Sequence, residues 1–165
     1  MRLYVMRHGP AEDHSRSHRD EDRALTASGR DRVRDVARLL AKEAELPERI
    51  LTSSLVRATQ TAEIVSLAME AAGKDGKLVT VPELAPGGKQ LHLVRHLRDE
   101  GGPAAMIVGH EPDLSSLVER LLGDPLDVGM DKAMVVALEV GEAVTSLRFV
   151  LDPRALTFLH DHRSR

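Results

Sequence analysis

The segment RLYVMRHG (residues 2–9) indicates the fold class of this sequence. Residues 2–6 form a short apolar run of side chains that favour β-structure, which predicts a buried strand. The run ends abruptly at Arg7-His8-Gly9-Pro10, so an arginine and a histidine directly follow the strand. Residues 11–24 are almost wholly polar and show no periodicity, and we predict that they form an exposed loop beside the strand end.

Apolar runs alternate with segments of helical periodicity along the next part of the chain. The predicted strands are residues 49–52, 78–81 and 104–108, and the predicted helices are residues 28–44, 57–72, 91–98 and 113–122. Ser28-Gly29-Arg30-Asp31 matches a capping box at the start of the first helix. Pro112 and Gly123 flank the last of these helices. Proline is favoured near the start of a helix and glycine just after its end, so both residues support these bounds.

The C-terminal part of the chain predicts a β-hairpin. Its strands are residues 134–140 and 143–151, with Gly141-Glu142 at a two-residue turn. For residues 152–165 we expect one short helical turn, with fraying from about residue 153. Strands that alternate with long helices predict βαβ units. The predicted fold is α/β: a three-layer α/β/α sandwich with a mostly parallel sheet and helices on both faces, in a single domain of residues 1–165.

Composition narrows the possible classes of protein. The 165 residues carry a formal net charge of -3 and few aromatic side chains, so we expect neither a basic surface nor stacking platforms for nucleic acid. Cysteine is absent, which excludes disulfides, thiolate zinc sites and a cysteine nucleophile. The apolar runs are too short for a signal peptide or a membrane span. We therefore expect a soluble, cytoplasmic protein with no nucleic-acid or membrane partner.

Two arginines and two histidines follow predicted strands. Arg7-His8 follows the first strand, Arg57 comes shortly after the second, and His110 follows residues 104–108. Each alone has an ordinary structural interpretation, as a solvated arginine or a histidine that supports a turn. In open α/β sheets, however, ligand sites lie outside the carboxyl ends of the strands, where all of these residues would converge. The resulting basic pocket would suit an anion, and arginine offers bidentate geometry for phosphate.

Four segments of the sequence resemble the motifs of one enzyme family. Met6-Arg7-His8-Gly9 is similar to the signature of the histidine phosphatase (phosphoglycerate mutase-like) superfamily. The later motifs of that family are similar to LTASG (residues 25–29), SSLVRATQTA (residues 53–62) and VGHEP (residues 108–112), which occur in the same order. The small region between Leu84 and Ala104 looks most like the SixA-type phosphohistidine phosphatases, since other members usually carry longer insertions over the site.

This resemblance implies a phosphohydrolase that acts through a phosphohistidine intermediate. His8 would attack phosphorus through a neutral ring nitrogen, and the neighbouring cations would keep that ring unprotonated. Arg7, Arg57 and His110 would bind the phosphate oxygens. No metal and no cofactor are expected, because the arginines supply the positive charge. The implied partner is a phosphorylated protein, with phosphohistidine in a phosphorelay or signalling domain as the substrate.

Glu83 is a candidate for the acid that protonates the leaving group. In many family members a glutamate follows the third strand, and Glu83 occupies the matching place; it could equally be a surface carboxylate. A phosphohistidine substrate relaxes the need for an acid, because imidazole, with a pKa of about 6.5, leaves more easily than an alkoxide. The alternative functions are a phosphatase of a small phosphate ester and, less favoured, a non-catalytic phosphate-binding regulatory module.

The remaining histidine pairs do not indicate a metal site. His14 and His18 have helical spacing but lie in the charged loop, and His160-Asp161-His162 lies in a polar tail, so we interpret both as solvated. Gly87-Gly88 is too short for a nucleotide-binding loop.

Overall fold

Seven strands and four helices make up the computed structural model, which describes residues 1–126 and 129–159. The strands are β1 (Arg2–Arg7), β2 (Arg49–Thr52), β3 (Lys77–Thr80), β4 (Ala105–Gly109), β5 (Val135–Val140), β6 (Thr145–Asp152) and β7 (Thr157–Leu159). The helices are α1 (Ala27–Lys42), α2 (Val56–Ala71), α3 (Gln90–Asp99) and α4 (Asp113–Leu122). Two short 3-10 turns, Asp20–Asp22 and Pro82–Leu84, lie in the connections.

The central sheet is parallel on one side and antiparallel on the other. Its strand order is β3-β2-β4-β1-β5-β6-β7. The first four of these strands pair in parallel, and β5, β6 and β7 add antiparallel neighbours. The register between β1 and β4 places Arg7 beside Gly109. The carboxyl ends of the two central strands therefore lie side by side, and a histidine follows each of them.

Helices cover both faces of this sheet. On one face α1 and α2 pack against β1, where Val36 and Ala62 share an apolar cluster with Tyr4. On the other face α3 and α4 pack against the same strand, where Leu117 shares a second cluster with Leu3. β1 is buried on both sides, as expected for a continuous apolar run. The predicted α/β fold with helices on both faces is confirmed.

The start of α1 differs from the predicted one. Thr26 caps the helix, since its Oγ1 accepts the Gly29 N–H at 2.8 Å, so the predicted capping box that begins at Ser28 is wrong. Gly29 also permits a close approach, because a Cβ at this position would lie 2.0 Å from the Pro10 carbonyl oxygen. This contact holds the start of α1 against the turn that follows β1.

Most other boundaries lie within one or two residues of the predicted ones. α1 ends at Lys42 instead of Ala44, whose positive φ of 57° is not helical. α4 spans Asp113–Leu122 as predicted, and Gly123 after it has a left-handed φ of 80°. No helix in the described ranges is long and apolar enough to cross a membrane.

The hairpin between β5 and β6 has a longer turn than predicted. Residues 141–144 connect the strands, so the turn has four residues instead of two. The Gly141 N–H donates to the Val144 carbonyl at 3.0 Å and closes the turn.

The tail adds a strand where we predicted a helical turn. Thr157–Leu159 forms β7 and pairs antiparallel with β6. Phe158 of this strand packs edge-on against Phe149, with 4.9 Å between the ring centroids, and this aromatic contact favours the extended backbone. The prediction is therefore wrong for residues 157–159, whereas residues 153–156 form a turn between β6 and β7. His160-Asp161-His162 lies outside the described residues.

The polar segment of residues 11–24 has more structure than the predicted loop. Ala11 and Leu25 form an isolated β-bridge that closes it. Within it, Asp20–Asp22 forms a 3-10 turn, whose first residue contacts α2.

Candidate active site

The two arginines and two histidines predicted at the strand ends lie at the same edge of the sheet. Arg7 is the last residue of β1, His8 follows it, Arg57 lies in the first turn of α2, and His110 follows β4. His8 is 6% exposed, and Arg57 and His110 are 5% exposed. The rings of His8 and His110 lie 5.2 Å apart between their centroids. The topology thus places these residues in one buried, basic site.

The ring of His8 is held in one tautomer. Its Nδ1 lies 2.7 Å from the Gly9 carbonyl oxygen, which can only accept, so Nδ1 carries the proton. Nε2 of the neutral ring is then left with a free lone pair. Burial, followed by the positive charges of His110, Arg57 and Arg7, lowers the pKa of His8 to about 3, although the bond to Gly9 opposes the shift. At physiological pH the His8 ring is therefore neutral, with an unprotonated Nε2.

Thr61 joins the turn after β1 to α2. Its hydroxyl donates to the Arg57 carbonyl at 2.7 Å and accepts the Gly9 N–H at 3.0 Å. One buried side chain thereby couples the backbone beside His8 to the backbone of Arg57.

In both arginines of the site, terminal Nη atoms of the guanidinium donate hydrogen bonds to other residues. Nη1 of Arg7 donates to the Met130 carbonyl at 2.8 Å. Nη1 and Nη2 of Arg57 donate to the Asp20 carbonyl at 2.8 Å and to its carboxylate at 3.0 Å. Among the described residues, the buried Nε atoms of both arginines have no hydrogen-bond partner. An unpaired buried donor is costly, and an acceptor on a bound anion would offset that cost.

His110 is oriented by Ser53. The Ser53 Oγ accepts the Leu55 N–H at 3.2 Å, and His110 Nε2 lies 2.9 Å from the same oxygen. This hydrogen bond between Nε2 and the Ser53 hydroxyl fixes the orientation of the His110 ring. Within the described residues the buried Nδ1 on the other side of the ring has no partner. Burial, and then Arg57, lowers the pKa of His110 to about 4.

The imidazoles of His8 and His110 are expected not to titrate between about pH 5 and 8. Their pKa values of about 3 and about 4 lie below the ordinary 6.5. The unfolded chain takes up these protons as the pH falls through 6.5, whereas the folded chain does not. The stability linked to the neutral rings is therefore present above the unfolded pKa and is lost as the pH falls towards 4 and 3. NMR titration of the ring carbons tests this, and a midpoint near the ordinary value for either ring would contradict it.

Glu83 lies at the same edge of the sheet but is not joined to the other site residues. It occupies the 3-10 turn that follows β3, where it is half-buried, and this turn contacts β4. Its carboxylate has no hydrogen bond or ion pair with any residue in the described ranges. The geometry is compatible with an acid that approaches a bound substrate, and its role stays a prediction.

The sequence did not single out three residues that contact the site, namely Ser53, Thr61 and Asp20. Ser53 and Thr61 lie within the motif of residues 53–62, where the spacing to Arg57 is the only signal for them. Asp20 lies among other charged residues of a polar segment, and no periodicity distinguishes it.

The comparisons with known proteins agree with this geometry. The model of the histidine phosphatase superfamily (branch 1) matches residues 3–84. Phosphohistidine phosphatase SixA of Escherichia coli (strain K12) is 33% identical over 125 residues, which cover 73% of this chain and 74% of the relative. The solved structure of the protein histidine phosphatase SixA complexed with tungstate has a TM-score of 0.83 at 26% identity, and the alignment covers 95% of this chain and 100% of that chain.

A more distant solved structure shares the fold alone. The α-ribazole phosphatase from Shigella flexneri has a TM-score of 0.71 at 20% identity, with 93% of this chain and 97% of that chain covered. The matched motifs, the SixA homologue and the common architecture lead to one assignment. This chain belongs to the histidine phosphatase superfamily.

Proposed function

We propose that this phosphatase removes the phosphoryl group from phosphohistidine in a phosphorelay or signalling protein, with His8 as the nucleophile. The observation that carries the proposal is the bond from His8 Nδ1 to the Gly9 carbonyl, which leaves a free lone pair on Nε2 beside unpaired N–H donors. The proposal includes a cytoplasmic location, which the absence of cysteine supports because a reducing compartment suits such a chain.

The proposed reaction has two steps. His8 Nε2 attacks phosphorus, the P–N bond of the substrate breaks, and the leaving imidazole takes up a proton from solvent. Water then attacks the phosphohistidine formed on His8, the new P–N bond breaks, and inorganic phosphate leaves as one proton returns to solvent and the neutral ring is restored. Arg7, Arg57 and His110 stabilise the charge that develops on the equatorial oxygens in both steps. Their donors are already in place and buried, so little reorganisation accompanies the reaction.

Two observations support phosphohistidine as the substrate. The relative that is one third identical to this chain is named as a phosphohistidine phosphatase. Among the described residues, no protonated acid is bonded to the proposed nucleophile and oxyanion donors, since the Asp20 carboxylate on Arg57 is kept ionised. An imidazole leaving group has the least need for such an acid. A metabolite ester would depend on Glu83 for a proton, because an alkoxide is a poor leaving group.

We further propose that the reaction is independent of metal ions. Arg7 and Arg57 bring two permanent positive charges to the buried site, and arginine matches the geometry of phosphate oxygens. The charge that a divalent cation would neutralise is thus met by side chains. Turnover is expected to be unchanged by EDTA.

The test compares two substrate classes in the presence of EDTA. Release of phosphate is measured from a phosphohistidine-bearing relay domain and from a panel of alcohol phosphomonoesters, with wild type, Glu83→Gln and the control Glu70→Gln, an exposed glutamate at the end of α2. We expect fast release from phosphohistidine, slow turnover of esters, and similar rates for all three proteins on the relay domain.

Other outcomes would replace the proposal. A preference for one metabolite ester, with a large loss in Glu83→Gln alone, would assign a small-molecule phosphatase and make Glu83 its acid. Binding of phosphate without hydrolysis of any phosphoamidate or ester would assign a phosphate-binding regulatory module.

Replacement of Ser53 by alanine is expected to lower kcat by about tenfold, which corresponds to the loss of one hydrogen bond of roughly 1.4 kcal/mol. The variant lacks the hydroxyl that holds the His110 ring through Nε2. Hydrolysis of phosphoramidate measures the rate. Ser66→Ala is the control, since its hydroxyl bonds the Gly76 carbonyl instead. Turnover of Ser53→Ala equal to that of wild type would refute the assigned role.

A further inference from the structure

The guanidinium of Arg57 donates hydrogen bonds to both the backbone and the side chain of one loop residue, Asp20. Nη1 donates to the Asp20 carbonyl oxygen at 2.8 Å, and Nη2 donates to Asp20 Oδ2 at 3.0 Å. These two bonds engage the outer edge of the guanidinium, and the buried Nε stays unpaired within the described part of the chain. These two hydrogen bonds fix the plane of the guanidinium.

Asp20 is itself held from the solvent side. Its Oδ1 accepts Nε of Arg23 at 2.8 Å and lies 2.7 Å from Nη2 of the same arginine. Arg23 in turn donates through Nη1 to the Glu12 carbonyl at 3.0 Å. Asp20 is therefore an oriented group with a separate cation on each carboxylate oxygen. Hydrogen bonds from Arg23, and then from Arg57, lower the pKa of Asp20, which keeps it ionised.

The exposure of the two partners differs strongly. The Asp20 side chain is 64% exposed, whereas that of Arg57 is 6% exposed. An exposed ion pair adds little to folding stability. Two hydrogen bonds from a buried guanidinium to one residue, in contrast, fix the direction of the remaining N–H donors of that guanidinium. The negative charge of Asp20 also acts on the site, because it opposes the lowering of the His110 pKa.

We propose that Asp20 is a positioning residue for the phosphatase reaction: it orients Arg57 for the transition state at the expense of ground-state phosphate affinity. The inference rests on the proposed function, in which Arg57 binds the equatorial oxygens. A carboxylate beside the pocket repels a bound phosphate dianion. The same carboxylate also prevents rotation of the guanidinium. A guanidinium that is held in one orientation stabilises the planar phosphoryl group of the transition state more than it stabilises the bound phosphate. Asp20 therefore contributes to kcat and weakens binding of phosphate.

The experiment uses Asp20→Asn, which keeps the backbone carbonyl and removes the charge. The matched control is Asp13→Asn, because Asp13 is an exposed acid of the same segment and, within the described residues, has no bond to Arg57. Inorganic phosphate affinity is measured by calorimetry, and kcat by hydrolysis of phosphoramidate, a small donor with a P–N bond. We expect Asp20→Asn to bind phosphate about two- to fivefold more tightly and to lose about tenfold in kcat.

Two further measurements separate positioning from a purely structural role. In an Arg57→Lys background, Asp20→Asn is expected to change kcat by less than about twofold, because lysine has no planar guanidinium for Asp20 to orient. The Arg57 Nε–H signal in ¹⁵N NMR is expected to exchange faster in Asp20→Asn than in Asp13→Asn. This NMR comparison requires no turnover.

The outcomes are distinguishable from failure of the proposed function. Unchanged kcat in Asp20→Asn, an equal loss in Asp13→Asn, or a full loss in the Arg57→Lys background would overturn the positioning role. A wild-type protein that binds phosphate but hydrolyses neither phosphoramidate nor a phosphohistidine-bearing relay domain would overturn the proposed function. Phosphate affinity and the Arg57 signal would then decide whether Asp20 still orients Arg57.

Discussion

Replacement of His8 by alanine is expected to reduce turnover by at least about a thousandfold, because it removes the atom proposed to bond phosphorus. No neighbouring group offers the same chemistry. His110 is close, but its Nε2 is hydrogen-bonded to the Ser53 hydroxyl. The rates of phosphate release from phosphoramidate and from a phosphohistidine protein measure the effect.

The control for His8→Ala is a histidine outside the site. His96 of α3 is 66% exposed and pairs with Glu100, so His96→Ala is expected to retain wild-type turnover. His8→Ala should also bind inorganic phosphate, since both arginines and His110 are unchanged. Circular dichroism verifies the fold. Turnover within about tenfold of wild type would show that His8 is not the nucleophile.

The intermediate provides a second readout of the same substitution. Rapid quenching of wild type in alkali, followed by intact mass measurement, is expected to detect one phosphoryl group on the protein. The group should be lost in acid, because the P–N bond of phosphohistidine is labile there, and it should be absent from His8→Ala. A phosphoryl group that survives acid would indicate an ester on a hydroxyl group and would exclude this mechanism.

The location of the central site residues could be predicted from local features of the sequence. The apolar run before Arg7-His8 predicts a strand that is buried on both faces, and the run before His110 predicts another. Parallel strands end at the same edge of a sheet, so the two histidines must be near each other once both strands are accepted. No distance or tautomer follows from this, because both depend on side-chain contacts such as Ser53 with His110.

The partner of Arg57 could not be predicted. Residues 11–24 contain eight charged side chains, and several acids have similar spacing and exposure. Asp20 is selected by the 3-10 turn of Asp20–Asp22, which presents its carbonyl and carboxylate to Arg57 together. The turn itself is held by contacts across more than thirty residues of sequence, which no periodicity encodes.

The two errors at the ends of secondary structure have a related cause. Ser28 fits the capping pattern as well as Thr26 does, but the approach of Gly29 to the Pro10 carbonyl sets where the helix starts. The strand β7 forms where Phe158 packs against Phe149 and the backbone pairs with β6, although the strand has only three residues. In both places a long-range contact overrides the local preference of the sequence.

Replacement of Arg57 by alanine is expected to lower kcat/KM by about 100- to 1,000-fold, or roughly 3–4 kcal/mol, the usual cost of one preorganised oxyanion donor. The guanidinium is buried and has an unpaired Nε, so its loss removes both a charge and a directed N–H from the proposed phosphate position. The Arg57–Asp20 pair is exposed on the Asp20 side, so the substitution should cost little stability by that route.

The matched control is Arg38→Ala. Arg38 is an arginine of α1 that is 75% exposed and pairs with Asp35, so its loss should leave kcat/KM unchanged. Arg57→Lys is expected to fall between wild type and Arg57→Ala, because lysine keeps the charge but not the planar fork. An effect of Arg57→Ala that lies within assay error, in a protein with wild-type thermal stability, would remove Arg57 from the site.

The kinetic form of the Arg57→Ala defect identifies the state that Arg57 stabilises. If Arg57 contributes equally to binding of the substrate and the transition state, KM rises and kcat is unchanged. The proposed reaction requires more, because charge redistributes over the equatorial oxygens only as phosphorus moves between nitrogen atoms. We therefore expect kcat to fall nearly as far as kcat/KM. A rise in KM alone would restrict Arg57 to substrate binding and would leave Arg7 and His110 as the stabilising donors.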